Sequence, residues 1–251
     1  MEKLKSNLNL SNITLGTMRF VDKNLSAKEV TDIIEKCYDI GIDTHHSSFE
    51  YNSYDLYLKA LKNSSCKNKV KHIVKLSSPH FEDNPLIFSS KNIETKIDEE
   101  LKNLNIEQID VLQWLVRSKP INDKDRLGIL ADQKDEIEAC FMNLKQNGKI
   151  KSAFSFPYSV PFANEAIKLE QMDGIISYLN LEEGDYSEFA NNVPFIAIRP
   201  FLRGTLLQEG NKAQKINKCL HYIDSHKMVL TKIISINSLH QLNAFKSENL
   251  D

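Results

Sequence analysis

Glycine is scarce in this chain: eight residues in 251, about 3% where roughly 7% is ordinary. Loops that cradle phosphate need glycine for close backbone approach, so a glycine-rich nucleotide cradle is disfavoured. A GxGxxG after the first strand-like run is also missing, which argues against a doubly wound dinucleotide-binding sheet. No run of about 18 apolar residues occurs, so no helix is expected to cross a membrane. The opening residues MEKLKSNLNLSN carry charge but no apolar stretch, and no secretory signal is expected. The four cysteines (Cys37, Cys66, Cys140 and Cys219) lie far apart, without CxxC or Cys/His ligand spacing. The expectation is reduced thiols in a cytoplasmic protein and no metal. An excess of one charge is lacking too, since 32 Lys and Arg face 34 Asp and Glu. Without a basic stripe, nucleic acid is not an expected partner. No Pro-, Gly- or Ser-rich linker, low-complexity tract or short repeat breaks the sequence, which reads as one domain over residues 1–251. Abundant Lys, Asn and Ile point to an AT-rich bacterial genome.

What is present is an alternation. Ser26 and Glu29 form a capping box, and behind them Val30, Ile33, Ile34, Cys37 and Tyr38 recur on one helical face. Gly41 follows where a left-handed cap falls. Tyr54, Tyr57, Leu58 and Leu61 mark a second helix; Ile93, Ile97, Leu101 and Leu104 a third; Ile137, Cys140, Phe141 and Leu144 a fourth. Between these lie eight strand-like runs: 13–16, 42–47, 72–77, 109–116, 150–155, 174–179, 194–198 and 229–236. Continuous apolar runs such as 109–116 belong to strands buried on both faces. Eight βα units in about 240 residues predict a single (β/α)8 TIM barrel of the α/β class.

Four segments carry a more specific pattern: Ile13–Met18 (ITLGTM), Gly41–Tyr51 (GIDTHHSSFEY), Leu101–Gln113 (LKNLNIEQIDVLQ) and Gly148–Ser159 (GKIKSAFSFPYS). In order and across nearly the whole chain, they resemble the aldo-keto reductase family. The matching pieces are its Gly-Thr entry strand, its G-I-N-x-x-D-T-A-x-x-Y motif, its I-D-L strand entry and its G-K-I-R-x-I-G-V-S element. The resemblance implies an NADPH-dependent carbonyl reductase passing hydride to an aldehyde or ketone, with no metal. Tyr51 falls on the family's proton-donating tyrosine and Lys75 on the lysine that activates it. A lysine ammonium favours phenolate and so makes the phenol a better acid. On the cofactor side the resemblance points to Gly16, Thr17, Ser177, Asn180, Arg203 and Gln241.

Several positions depart from the family. His46 stands where an aspartate pairs the lysine, and Leu115 where a histidine orients the carbonyl. Leu115 can neither donate nor accept a hydrogen bond. The carboxamide-binding serine is Phe156, with Phe154 two residues before it. The sixth-strand glutamine is Ser177, and the last loop, Ser235–Leu242, has no glycine and no arginine for a 2′-phosphate. The run 199–205 still resembles the family's S-P-L-x-x-G loop, while the connection 205–213 is short.

Some residues keep two readings. Tyr51 and Lys75 read as a catalytic pair or as packing and a solvated charge; Arg199 and Arg203 as an anion site or a salt-bridged loop. His46 reads as an ordinary hydrogen-bonded histidine or a replacement acid–base group. His45 and His46 point to opposite faces of a strand, which disfavours a metal pair. Trp114 reads as core, and Phe154 and Phe156 as space-fillers where a cofactor would lie. The leading expectation is a barrel with lost or strongly impaired carbonyl reduction, acting as a binding or regulatory protein with a protein partner or small ligand. The alternatives are a divergent active aldehyde or ketone reductase, and a barrel enzyme doing non-redox chemistry.

Overall fold

A computed structural model describes residues 8–83, 85–118, 121–208 and 210–245. Its strands are β1 (Ile13–Gly16), β2 (Thr44–Ser47), β3 (Lys71–Ser77), β4 (Ile109–Leu115), β5 (Ile150–Ser155), β6 (Gly174–Tyr178), β7 (Phe195–Ile198) and β8 (Val229–Ile234). They run in sequence order and close a barrel with helices between them, the (β/α)8 architecture the alternation predicts. Each predicted strand is present, its ends within two residues of those predicted. Pro194 falls outside β7, as a residue with no N–H to give a ladder should.

The chain divides into two compact units, residues 1–72 with 178–251, and residues 73–177. In the first unit, β1 pairs with β2 (Gly16↔His46) and with β8 (Leu15↔Ile234), and β7 pairs with β8. Helix α1 (Ala27–Asp39) opens on the predicted capping box: Ser26 Oγ accepts from Glu29 N at 3.3 Å, and the Glu29 carboxylate accepts from Ser26 N at 2.8 Å. It buries Val30, Ile33, Ile34 and Cys37, and Gly41 ends it at φ 83°. Helix α2 (Tyr54–Asn63) buries Tyr54, Tyr57, Ala60 and Leu61, leaving Leu58 half-buried.

In the second unit, β3, β4, β5 and β6 are parallel neighbours. Helix α3 (Ser90–Leu104) buries Ile93, Ile97, Glu100 and Leu104, while Leu101 is half-buried. At roughly 100° per residue, Glu100 lies only about 20° from Ile93 and Leu101 about 80°, so the periodicity overrides residue type there. Helix α4 (Asp123–Asp132) is absent from the sequence reading because its charged and polar residues leave almost no apolar stripe. Asn122 caps it, accepting from Asp125 N at 2.9 Å. Helix α5 (Lys134–Gln146) buries Ile137, Cys140, Phe141 and Leu144, as their spacing predicts. Trp114 is core: it stands 5.3 Å from Phe141 and 6.0 Å from Phe88, and its Nε1 donates to Ser78 O at 2.8 Å.

The remaining helices are α6 (Val160–Ala166), α7 (Ser187–Asn192), α8 (Lys212–Asp224) and α9 (Leu239–Leu242). The short connection after β7 holds a 3-10 segment, Leu202–Leu207. No described helix is long and apolar enough to cross a membrane.

Candidate active site

In the first unit, β2 delivers His46, buried at the strand's C-terminal end, and the turn after it delivers Tyr51. Their rings lie 5.9 Å apart, inclined by 57°. Both are held by backbone bonds from short polar residues. Thr17 donates its N–H (3.2 Å) and its hydroxyl (3.0 Å) to the His46 carbonyl. The Ser53 hydroxyl bonds the carbonyls of Thr17 (2.9 Å) and Met18 (2.6 Å), tying the Tyr51 turn to the loop after β1. Tyr51 N donates to Ser48 O, and Tyr54 N to Tyr51 O. Gly16 lies in a tight place: a side chain there would meet Ile233 Cγ2 at 3.1 Å, and that methyl would have to give by a few tenths of an ångström.

His45 takes the opposite face of β2, as alternation requires. Its Nδ1 lies 3.0 Å from Tyr57 Oη and its ring stands edge-on to His72 at 6.3 Å. Burial pushes its pKa down to about 3, with the neighbouring His72 acting in the same direction. His45 is therefore a neutral core residue. No described group of three His, Cys, Asp or Glu could hold a metal.

In the second unit, Lys75 is buried on β3 and stands in register with Gln113 on β4; Gln113 in turn pairs with Phe154, and Phe154 with Gly174. Residues in register share a face of a parallel sheet, so lysine, amide, phenyl and glycine form one layer. The next layer up pairs Ser77 with Leu115, and Leu115 is buried. Phe156, also buried, donates its N–H to Trp114 O at 2.8 Å. Gln113 received no role from the sequence; the signal for it was a lone amide inside the apolar run 109–116.

The side chains expected on the cofactor side are largely bonded to their own neighbours. Asn180 Nδ2 donates to Glu183 (2.7 Å) and to Arg199 O (3.1 Å), and its Oδ1 accepts from the N–H groups of Glu182 and Glu183. Gln241 Oε1 accepts from Asn237 N at 2.7 Å, bracing its own loop. Arg199 lies 3.9 Å over the Tyr178 ring and 3.5 Å from the Glu183 carboxylate, the salt-bridged alternative of its two readings. Arg203 is exposed in a left-handed conformation, φ 57°. Ser177 Oγ is buried without a partner, as is Ser155 Oγ. The loop that should take phosphate leads into α9, only four residues long. As a set these residues do not fit a phosphate-rich dinucleotide. In the first unit, the glycine-free last loop and the internally bonded Asn180 and Gln241 stand against it.

The four cysteines are free and buried. Burial raises every one of these thiols, Cys140 to about 12, so none is poised as a thiolate nucleophile.

The chain matches the Aldo/keto reductase family over residues 12–244. Among solved structures, it is similar to a Pseudomonas aeruginosa protein assigned to the aldo-keto reductases, at 18% identity and TM-score 0.72, covering 96% of this chain and 91% of that one. It is equally similar to the holo form of an aldo-keto reductase from Bacillus halodurans, at 18% identity and TM-score 0.72, covering 96% and 87%. At that identity the likeness shows the fold. No curated protein matches the sequence. The family match spans nearly all of the chain and agrees with the barrel topology: the chain belongs to the aldo/keto reductase family.

Proposed function

We propose that this member of the family has lost, or strongly reduced, NADPH-dependent carbonyl reduction and acts in the cytoplasm as a binding or regulatory protein, folding as one domain over residues 1–251. One observation carries the reading: the second unit places Phe154 in the layer of Lys75 and Leu115 in the layer above. A leucine cannot polarise a carbonyl, and a phenyl fills space that the family gives to glycine. The internal bonding of Asn180 and Gln241 supports the same reading from the first unit.

A second reading rests on the His46–Tyr51 contact. In it the protein is a divergent reductase of aldehydes or ketones, with Tyr51 Oη giving a proton to the developing alkoxide and the Lys75 ammonium favouring the phenolate left behind. His46 orients the phenol by ring packing.

The experiment is calorimetric titration with NADPH and NADP⁺ to millimolar concentration, followed by a turnover screen over aldehydes and ketones. Absence of binding and turnover is expected. Micromolar binding with turnover that Tyr51→Phe abolishes would establish the second reading instead.

A further inference from the structure

The loop that follows β7 in the first unit, residues 199–207, is held in an unfavourable backbone shape. Arg199 (φ 58°), Leu202 (φ 45°) and Arg203 (φ 57°) all stand in the left-handed region, which beside them only Gly204, at φ 95°, adopts freely. The β-carbon of an L residue crowds the following carbonyl there, so three such residues within five positions store strain. Burial does not balance it, since the 3-10 segment Leu202–Leu207 contains no buried residue. The N–H groups of Leu202, Gly204 and Leu206 bond carbonyls of the loop itself, and Phe201 stacks on Phe245 at 6.4 Å.

Arg199 itself ties the start of this loop down. Its guanidinium lies 3.9 Å from the centre of the Tyr178 ring, and its Nη1 stands 3.5 Å from the Glu183 carboxylate. Its carbonyl accepts from Asn180 Nδ2 at 3.1 Å, and the same amide donates to the other Glu183 oxygen at 2.7 Å. The ion pair is stretched and its side chains are 29% and 30% exposed, so the ring contact carries most of the attachment. A part-exposed contact of that kind and the strain of one or two left-handed residues are of the same order. The closed shape and a relaxed one are therefore close in free energy, as a two-state segment requires. The contact is this chain's own: the family's corresponding run begins with serine, whose side chain is too short to cover a ring on the neighbouring strand.

We propose that Arg199 is an autoinhibitory latch. While its guanidinium covers the Tyr178 ring the loop stays closed; on release, residues 199–207 relax out of the left-handed region and uncover that ring face. Tyr178 ends β6 and Arg199 follows β7, on the side of a (β/α)8 barrel where ligands bind. Any group that takes the ring face binds only the open form and shifts the population toward it. The latch lies within the first unit and does not depend on whether hydride transfer survives.

The test is amide hydrogen exchange of the full chain read by mass spectrometry, comparing residues 199–208 with helix α1 as the internal reference. The segment is expected to exchange faster than α1, through local opening. Arg199→Met keeps an unbranched apolar stem and removes the guanidinium; it should speed exchange of the segment about tenfold and leave α1 unchanged. Tyr178→Leu, which removes the ring face, should do the same and covers the case that Arg199→Met misfolds. Arg203→Gly should act in the opposite sense. Arg203 is exposed, and glycine keeps φ 57° without strain, so the segment should exchange about two- to fivefold more slowly. Exchange as slow as that of α1, no change in Arg199→Met or Tyr178→Leu, acceleration of α1 together with the segment, or unchanged or faster exchange in Arg203→Gly would each overturn the latch. Nicotinamide enters none of these measurements, so a failure here is distinct from a failure of the functional reading above.

Discussion

Truncating Phe154 tests the central argument, that a phenyl occupies the layer of Lys75. Phe154 is fully buried and stands in register between Gln113 and Gly174. Gly174 has no side chain, so the ring can extend over it, a large residue beside a small one in a single layer. Phe154→Ala removes the whole ring, and core changes of this kind cost about 3–5 kcal/mol through lost transfer energy and the cavity left behind. The upper half of that range applies if β5 cannot shift, because its neighbour Gly174 has no side chain to move into the space. The assay is urea unfolding followed by far-ultraviolet circular dichroism, comparing midpoints at unchanged slope. Benzene provides the second arm: at about ten times its dissociation constant it should restore about 1.4 kcal/mol if an apolar cavity has opened. A loss below about 1 kcal/mol would mean that the ring is not enclosed, and the claim that it fills the family's glycine space would fail with it.

Acid stability follows from His45. Its pKa is lowered to about 3 in the folded protein, against about 6.5 unfolded, so between those values the unfolded state binds the extra proton. Its contribution is therefore intact above about pH 6.5 and is lost as pH falls toward 3, with a slope of about 1.4 kcal/mol per pH unit. Denaturant midpoints at pH 7, 6, 5 and 4 should show that slope, and His45→Asn should flatten it whatever its absolute cost. A parallel pH profile in the variant would remove His45 as the source. The one-domain proposal predicts a single calorimetric unfolding transition whose van't Hoff and calorimetric enthalpies agree; two separated transitions would assign independent stability to residues 73–177.

The barrel was legible because its signals are local and redundant. The run 109–116 reads as a strand from its mostly apolar residues, and helix α1 from a capping box, a five-residue apolar face and Gly41, three independent cues that agree. Helix α4 was not legible, since its stability comes from the Asn122 cap and tertiary burial of Arg126 rather than from an apolar stripe. The candidate site was legible by position only. Tyr51, Lys75, His46 and Leu115 could be placed by motif, but nothing in their spacing reveals that Ser53 ties the Tyr51 turn to the loop after β1, or that Gln113 and then Phe154 follow Lys75 in one layer. Those facts depend on register between strands dozens of residues apart.

The two units depart from the family's pattern in different physical ways. In the first, polar side chains persist but spend their hydrogen bonds on each other: Asn180 on Glu183 and Arg199 O, Gln241 on Asn237. Recruiting them to a cofactor would mean breaking satisfied, partly buried bonds, each worth about 1 kcal/mol net and more where a charge takes part. In the second, Leu115 and Phe156 stand at polar positions of the family and Phe154 at a glycine, and the three offer packing and no side-chain donors. A long, highly charged dinucleotide needs many donors along its length, and both changes remove them.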